Sequence, residues 1–249
     1  VVGKYVDLKD SYKSLNEALD HAGIVNLAKV EIHMIDAVKI TKANVAKILK
    51  SYQAVLVPGG FGNRGIEGMI FACEFARKNK LPYFGICLGM QIAIIEFSRN
   101  VLKLKNANST EFNIKTKYPV IGLVTEWKDA SGKIEHRDEN SNLGGTMRLG
   151  GQKCLVKRNS LSHKLYKKLT ITERHRHRYE VNPEYKNELI AGGMDIVGTS
   201  LDGNLAEMIE IKKHPWFLGC QFHPEFTSNP RDGHPIFNDF IAKAIKIKR

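Results

Sequence analysis

Apolar and polar residues follow two rhythms along the first hundred positions. Short apolar or alternating runs predict strands at "VGKYV" (2–6), "VEIHMI" (30–35), "AVLVPGG" (54–60) and "LPYFGI" (81–86). Between them the spacing shifts to the helical one. In "DSYKSLNEALDHAG" (10–23), Tyr12, Leu15, Leu19 and Ala22 share a face, with Asp10 as the expected N-cap and Gly23 as the expected stop. "ANVAKILKS" (43–51) reads as a short helix, "GIEGMIFACEFARKN" (65–79) as one with Ile66, Met69, Ile70 and Cys73 turned inward, and "LGMQIAIIEFSRN" (88–100) as the next. Strands alternating with helices predict an α/β fold, doubly wound, with a mostly parallel sheet and helices on both faces.

The second half is richer in strand patterns. "YPVIGLV", "KCLVK", "HRYEVN", "LAEMIEI" and "FLGCQF" add β elements, and "HPIFNDFIAKAIKIK" closes the chain as a helix. Residues 129–151 are polar and glycine-rich, a long loop or hairpin of the kind that forms lids and binding segments. No repeat or linker divides the chain, so residues 1–249 are expected to form one domain.

Composition narrows the class. The chain is 43% hydrophobic and 26% charged, which suits a globular protein. No apolar run approaches the ~18 residues of a membrane span, and the start lacks the pattern of a signal peptide. It also lacks an initiator methionine, which suggests a piece of a longer or processed chain. The four cysteines have no paired spacing, which argues for a reducing, cytoplasmic setting and against a disulfide framework or a zinc site. The net charge of +12 is scattered as lysine over a solvated surface; an anionic partner is the second reading, and no nucleic-acid motif appears.

The candidate chemistry centres on "GICLGMQ" (85–91). Strand, Gly-x-Cys-x-Gly, helix is the pattern of a nucleophile elbow, in which small flanking residues allow the tight reversal. A helix starting at Cys87 stabilises a thiolate through its backbone N–H groups. The Leu88 N–H would face a tetrahedral oxyanion, with Gly60 of "PGGFG" as second donor. Buried, unreactive cysteine is the competing reading. Among nine histidines, His223 in "FHPEF" follows an apolar strand, and Glu225 lies two residues on, so the pair suits a base and its orienting carboxylate. His175 and His177 alternate with Arg174, Arg176 and Arg178, charges that would repel a metal ion. That stretch is expected to be a basic strand face, and no metal site is expected. Cys73, Cys154 and Cys220 are expected in the core, and His33 and His163 at the surface or in packing.

The strings "PGGFGNRGIEGMI", "GICLGMQ", "NANSTEF", "LGGTMRLG", "RHRHRYEVN" and "HPWFLGCQFHPEFTSNPRDGHP" together resemble the glutaminase domains of CTP synthases, which are class I, triad-type glutamine amidotransferases. The resemblance spans essentially the whole chain. It implies that Cys87 attacks the glutamine side-chain amide, His223 relays the proton to ammonia and Glu225 orients His223, with Gly60 and Leu88 as oxyanion hole. It also implies that Gln91, Glu111 and Arg178 hold glutamine's zwitterionic end, and that GTP activates near Arg64, Gly65 and residues 136–148. The amidoligase domain that precedes this one in such enzymes, and forms most of their tetramer, is not in the sequence; it uses ATP, Mg2+ and UTP. No cofactor is implied for the glutaminase part, nor any nucleic-acid or membrane partner. Other readings are a further class I amidotransferase or γ-glutamyl hydrolase, a non-catalytic module sensing glutamine or nucleotide, and a redox-sensor cysteine.

Overall fold

The computed structural model describes residues 1–6, 10–123, 126–128, 134–136 and 147–247. In chain order the elements are β1 (Val2–Gly3), α1 (Lys13–Val25), β2 (Ile35–Asp36), α2 (Val45–Leu49), β3 (Val55–Val57), α3 (Ile66–Lys78), β4 (Tyr83–Ile86) and α4 (Leu88–Asn100). There follow β5 (Asn108–Ser109), β6 (Pro119–Leu123), β7 (Glu126–Lys128), β8 (Ile134–His136), β9 (Arg148–Val156), α5 (Leu161–Tyr166), β10 (Thr170–His177) and β11 (Tyr179–Val181). The chain ends with α6 (Lys186–Gly192), β12 (Asp195–Thr199), β13 (Ala206–Glu210), β14 (Phe217–Cys220) and α7 (Pro235–Ile245).

The central sheet has seven strands in the order β10-β9-β12-β13-β14-β4-β3. Its strands alternate side chains between two cores, as a pleated chain buried on both faces must. Val55, Val57, Tyr83, Ile209 and Phe217 enter the core covered by α2, α3, α4 and α6. Leu56, Phe84, Ile86, Met208 and Leu218 enter the opposite core, covered by α1 and α7. There Phe84 meets Phe237 edge-on at 5.1 Å between ring centroids, and Trp216 closes the cluster with its indole N–H donating to Asp239 at 2.7 Å. A buried bidentate pair, Arg77 with Glu96 at 2.6 and 2.7 Å, ties α3 to α4.

The α/β architecture with helices on both faces is as expected, but the sheet is mixed rather than mostly parallel. Parallel pairing within it joins β3, β4 and β14, whereas β14-β13, β13-β12, β12-β9 and β9-β10 are antiparallel. β3 and β4 are joined through a helix, which permits parallel pairing. Consecutive strands such as β12 and β13 are joined by short turns, which return the chain antiparallel.

Other expectations needed correction. Helix α1 starts at Lys13 with Tyr12 in the capping position, and Gly23 lies inside it; Asp10 does not cap it. Only Ile35–Asp36 of the "VEIHMI" region joins a ladder, because β1 offers just Val2 and Gly3 as partners. "HRYEVN" divides. His177 ends β10, and Tyr179–Val181 joins β6 in a separate small sheet with β5. Arg148–Gly151 belong to β9, and β7 pairs antiparallel with β8; residues 129–133 and 137–146 of the 129–151 loop lie outside the described residues. No described helix is long and apolar enough to cross a membrane.

The turn from β4 into α4 requires glycine for close approach. A Cβ on Gly89 would lie 2.0 Å from the Val57 carbonyl oxygen, against backbone that cannot swing aside. Gly89→Ala is therefore expected to lower stability by about 3 kcal/mol. Gly122→Ala, where an added Cβ meets nothing within 4 Å, serves as the near-neutral comparison. Urea unfolding of the two variants measures the difference.

Candidate active site

Strands β3, β4 and β14 run parallel and end at one edge of the sheet, so the segments that follow them converge. Crevices beyond the carboxyl ends of parallel strands are where α/β folds build their sites. After β3 comes Pro58-Gly59-Gly60, after β4 comes Cys87, and after β14 come Gln221, His223 and Glu225. Pro58, Gly59, Gly60, Cys87, His223 and Glu225 all line one cleft of about 320 Å³.

Cys87 occupies the capping position of α4 with φ 52° and ψ −102°, in the positive-φ region that is costly for a side-chain-bearing residue. Its N–H donates to the Cys220 carbonyl at 2.7 Å, which holds the turn against β14. Leu88 is the first residue of α4 and is buried. Gly60 faces it: a Cβ built on Gly60 would stand 3.4 Å from Leu88 Cδ2. The two expected oxyanion residues are thus neighbours beside Cys87.

The His223 ring packs flat against Gly59, where a Cβ would come within 2.7 Å of Cε1. Its backbone N–H is held by the Arg174 carbonyl at 2.8 Å. Nδ1 pairs with Glu225 Oε1 at 2.8 Å, leaving Nε2 for the hydrogen bond with Cys87. Burial pushes the ring's pKa down, but the charge and hydrogen bond of Cys87, together with Glu225, outweigh it and lift the value to about 10. This is a cysteine–histidine–carboxylate array with the imidazole held protonated beside the sulfur, able to deliver a proton to a leaving group.

Glu111, which pattern reading alone could not find, accepts from the Gly62 N–H at 2.7 Å. Burial raises its pKa, opposed by the Gly62 N–H and the charges of Lys4 and Arg178. Gln91 is buried, and its Nε2 donates to the Tyr179 carbonyl at 3.0 Å and to Gln221 Oε1 at 3.2 Å. Arg64 is exposed, and its guanidinium donates to the Lys4 carbonyl. Gly65 precedes α3 at φ 73°. His136 lies in β8, and residues 137–146 lie outside the described residues.

Two groups escaped the sequence reading. Lys4, set in what looks like a plain strand, turns its Nζ onto the carbonyls of Phe61 (3.1 Å) and Gly62, beneath the glycine-rich loop. The second is a buried cluster beside the site. The alternation of β10 puts Arg174 and Arg176 outward and His175 and His177 inward, so the strand is basic on one face only. The inward pair meets at 2.8 Å between His175 Nδ1 and His177 Nε2. Arg148 bridges Glu180 at 2.7 Å and Glu207 at 2.8 Å nearby. The expectation of a basic strand face is thereby corrected for the inward side, where the carboxylates of Glu180 and Glu207 stand beside the histidines. His175, His177 and Glu207 bring ligand atoms within 4.8 Å of one another, and the Arg148 guanidinium is the cation this carboxylate already faces. Burial, then the charges of Arg148 and His223, hold His175 down to about 2, so it stays neutral.

The match to known proteins agrees with this geometry. The family model for class-I glutamine amidotransferases matches residues 7–243, and the chain belongs to that family. The glutaminase domain of Trypanosoma brucei CTPS, solved with bound acivicin, is 35% identical and superimposes with a TM-score of 0.87, over 100% of this chain and 93% of that one. A GMP synthase component from Thermoplasma acidophilum, described as putative, shares the fold at 15% identity and TM-score 0.54, covering 91% of this chain and 87% of its own. A glutamine amidotransferase from Thermotoga maritima does so at 11% identity and TM-score 0.51, covering 92% and 90%.

The ion pair gives a direct spectroscopic expectation. In the folded protein the His223 ring should keep its proton through neutral pH and lose it near pH 10. Because this lies above the unfolded value of 6.5, the pairing stabilises the fold fully below pH 6.5, and the contribution is lost as pH rises through about 10. In Cys87→Ser, without the sulfur that helps raise it, the ring titration followed by NMR should move several tenths of a unit or more toward the ordinary value.

Proposed function

We propose that the chain hydrolyses glutamine through a γ-glutamyl thioester on Cys87. The observation that carries this reading is the protonated His223, bonded to Glu225 on one side and facing Cys87 on the other, in a cleft roofed by the Gly59–Gly60 backbone. The Cys87 thiolate attacks the side-chain amide carbon, and the oxyanion is received by the Gly60 and Leu88 N–H groups. His223 Nε2 gives its proton to the nitrogen as the C–N bond breaks and ammonia leaves. A water molecule then attacks the thioester, returning its proton to His223 and the electron pair to sulfur, and glutamate is released. Glu225 keeps the ring oriented through both halves.

Glutamine's ammonium is taken by Glu111, whose Oε2 is not engaged by Gly62, and by the carbonyl oxygen of Gln91, since both N–H bonds of that amide are committed within the protein. Its carboxylate is taken by Arg178. No cofactor serves this chemistry. We assign the ammonia to a synthetase domain that aminates UTP to CTP with ATP and Mg2+, in a cytoplasmic enzyme of pyrimidine biosynthesis. GTP activates from the side of Arg64 and Gly65. The likeness to the T. brucei glutaminase domain supports this finer assignment.

The test is glutamate release, measured with and without GTP. Cys87→Ala should abolish it with the fold retained, and His223→Ala should slow it by roughly 10²–10⁴. A glutamine-like γ-electrophile should leave one adduct, on Cys87. Cys73, Cys154 and Cys220 are fully buried, and burial pushes each of their thiols up, so they stay protonated. Labelling on any of those three instead overturns the mechanism.

A further inference from the structure

One side chain sits directly on the nucleophile without belonging to the expected array. Gln221 follows β14, one residue beyond the Cys220 carbonyl that anchors Cys87. Its side chain is completely buried, and its Nε2 donates to Cys87 Sγ at 3.6 Å.

The orientation of that amide is dictated by its neighbours. A carbonyl can only accept, so Gln91 must present its nitrogen to the Tyr179 carbonyl. The second N–H of that nitrogen then points at Gln221, which must answer with its oxygen. That leaves the Gln221 nitrogen facing sulfur; the flipped amide would set N–H against N–H at Gln91 and lose the bond between the two amides. The backbone is held as well, with the Gln221 N–H on the Glu207 carbonyl of β13 at 2.8 Å. A buried primary amide kept in this way is a fixed dipole with its positive end on the nucleophile.

We propose that Gln221 is a further catalytic residue of this site, donating a hydrogen bond that stabilises the Cys87 sulfur as an anion. The reaction it assists rests on the glutaminase reading above; the contact with sulfur does not. Sulfur carries negative charge twice in that cycle: before its electron pair forms the C–S bond, and again when water breaks that bond and the pair returns to sulfur. A neutral donor serves both moments, because it neither accepts nor loses a proton while His223 cycles between its two forms. The other titratable or charged groups about the sulfur are His223 and Glu225 after β14 and the Cys220 thiol on β14, with Arg176, Asp10, Lys13, Tyr5 and Tyr12 elsewhere on the cleft wall. Among the described side chains, Gln221 is the uncharged amide that touches sulfur.

The experiment compares the pH profile of Cys87 alkylation by iodoacetamide, in the folded protein, for wild type, Gln221→Leu and the double variant Gln91→Leu/Gln221→Leu. The double variant removes both partners of the amide pair, so no N–H is left buried toward position 221, at the cost of the bond to the Tyr179 carbonyl; circular dichroism of both variants checks that they are folded. In both variants the midpoint should rise by about one unit or more, and kcat for glutamate release in Gln221→Leu should fall on the order of 10–100-fold with a smaller change in KM. Alkylation profiles of both variants that superimpose on the wild type overturn the proposal and leave Gln221 a packing residue. Wild-type protein that releases no glutamate would instead count against the glutaminase reading, while the alkylation profiles still decide the role of Gln221.

Discussion

The site depends on one backbone hydrogen bond, from the Cys87 N–H to the Cys220 carbonyl. It is the last rung of the parallel β4–β14 ladder, which pairs Tyr83 through Ile86 with Phe217 through Cys220 in register. Because the two strands end level, whatever follows one lies beside whatever follows the other. Cys87 follows β4, and Gln221, His223 and Glu225 follow β14, so a separation of more than 130 residues in sequence closes to hydrogen-bond distance. The positive φ of Cys87 turns the chain at once into α4 and holds the sulfur at the helix N-terminus. A one-residue slip of β14 would carry the residues that follow it out of step with Cys87 and turn each of its side chains to the other face, and two apolar faces packed against helices forbid that slip.

Around this rung the protein buries many polar groups, and their pairing fixes more than stability. The amides of Gln91 and Gln221 and the carbonyl of Tyr179 form a chain in which each end dictates the next. Behind β10, Arg148 holds Glu180 and Glu207, and two neutral histidines fill the remaining space. Removing one member of such a set leaves an uncompensated buried charge, worth about 3–5 kcal/mol. Burial, and after it the charges of Arg148 and His223, keep His175 uncharged, so the protonated imidazole facing the sulfur is His223 rather than its buried neighbour.

How much of this was legible follows from which interactions are local. The Gly-x-Cys-x-Gly turn was readable because the steric demand that shapes it acts between residues a few positions apart, and a helix starting at Leu88 follows from the same stretch. The inward faces of α1 and α3 were readable from spacing alone; their ends were not, since Tyr12 caps without a side-chain bond and Gly23 continues the helix. The basic-strand reading of residues 174–178 went astray for a physical reason. A period of two separates arginines from histidines onto opposite faces, so neighbours in sequence are not neighbours in space. Arg148, Glu180 and Glu207 could not be connected to that strand without knowing that β9 and β10 pair and that β13 lies three strands along the sheet from β10. Glu111 entered only through family likeness, and Lys4 had no local signal, its partners being nearly 60 residues on.

Those two residues settle how the glycine-rich loop is kept in shape. Two adjacent glycines after β3 have many accessible conformations, and a backbone that lines the cleft beside Cys87 needs one. Lys4 holds the loop by two carbonyls, of Phe61 and Gly62, and Glu111 holds it by the Gly62 N–H. Opposite charges thus grip opposite poles of the same short segment, which fixes its rotation as well as its position. The grip has a pH limit of its own. Burial and, after the opposing charge of Glu111, the charge of Arg64 bring the Lys4 ammonium down to about 8, whereas His223 keeps its proton to about 10. As pH rises above neutral, the clamp beneath the loop loses its charge before the imidazolium beside the sulfur does. As pH rises, the glycine-rich loop beside Cys87 therefore loses its charged support first, and the imidazolium loses its proton only later.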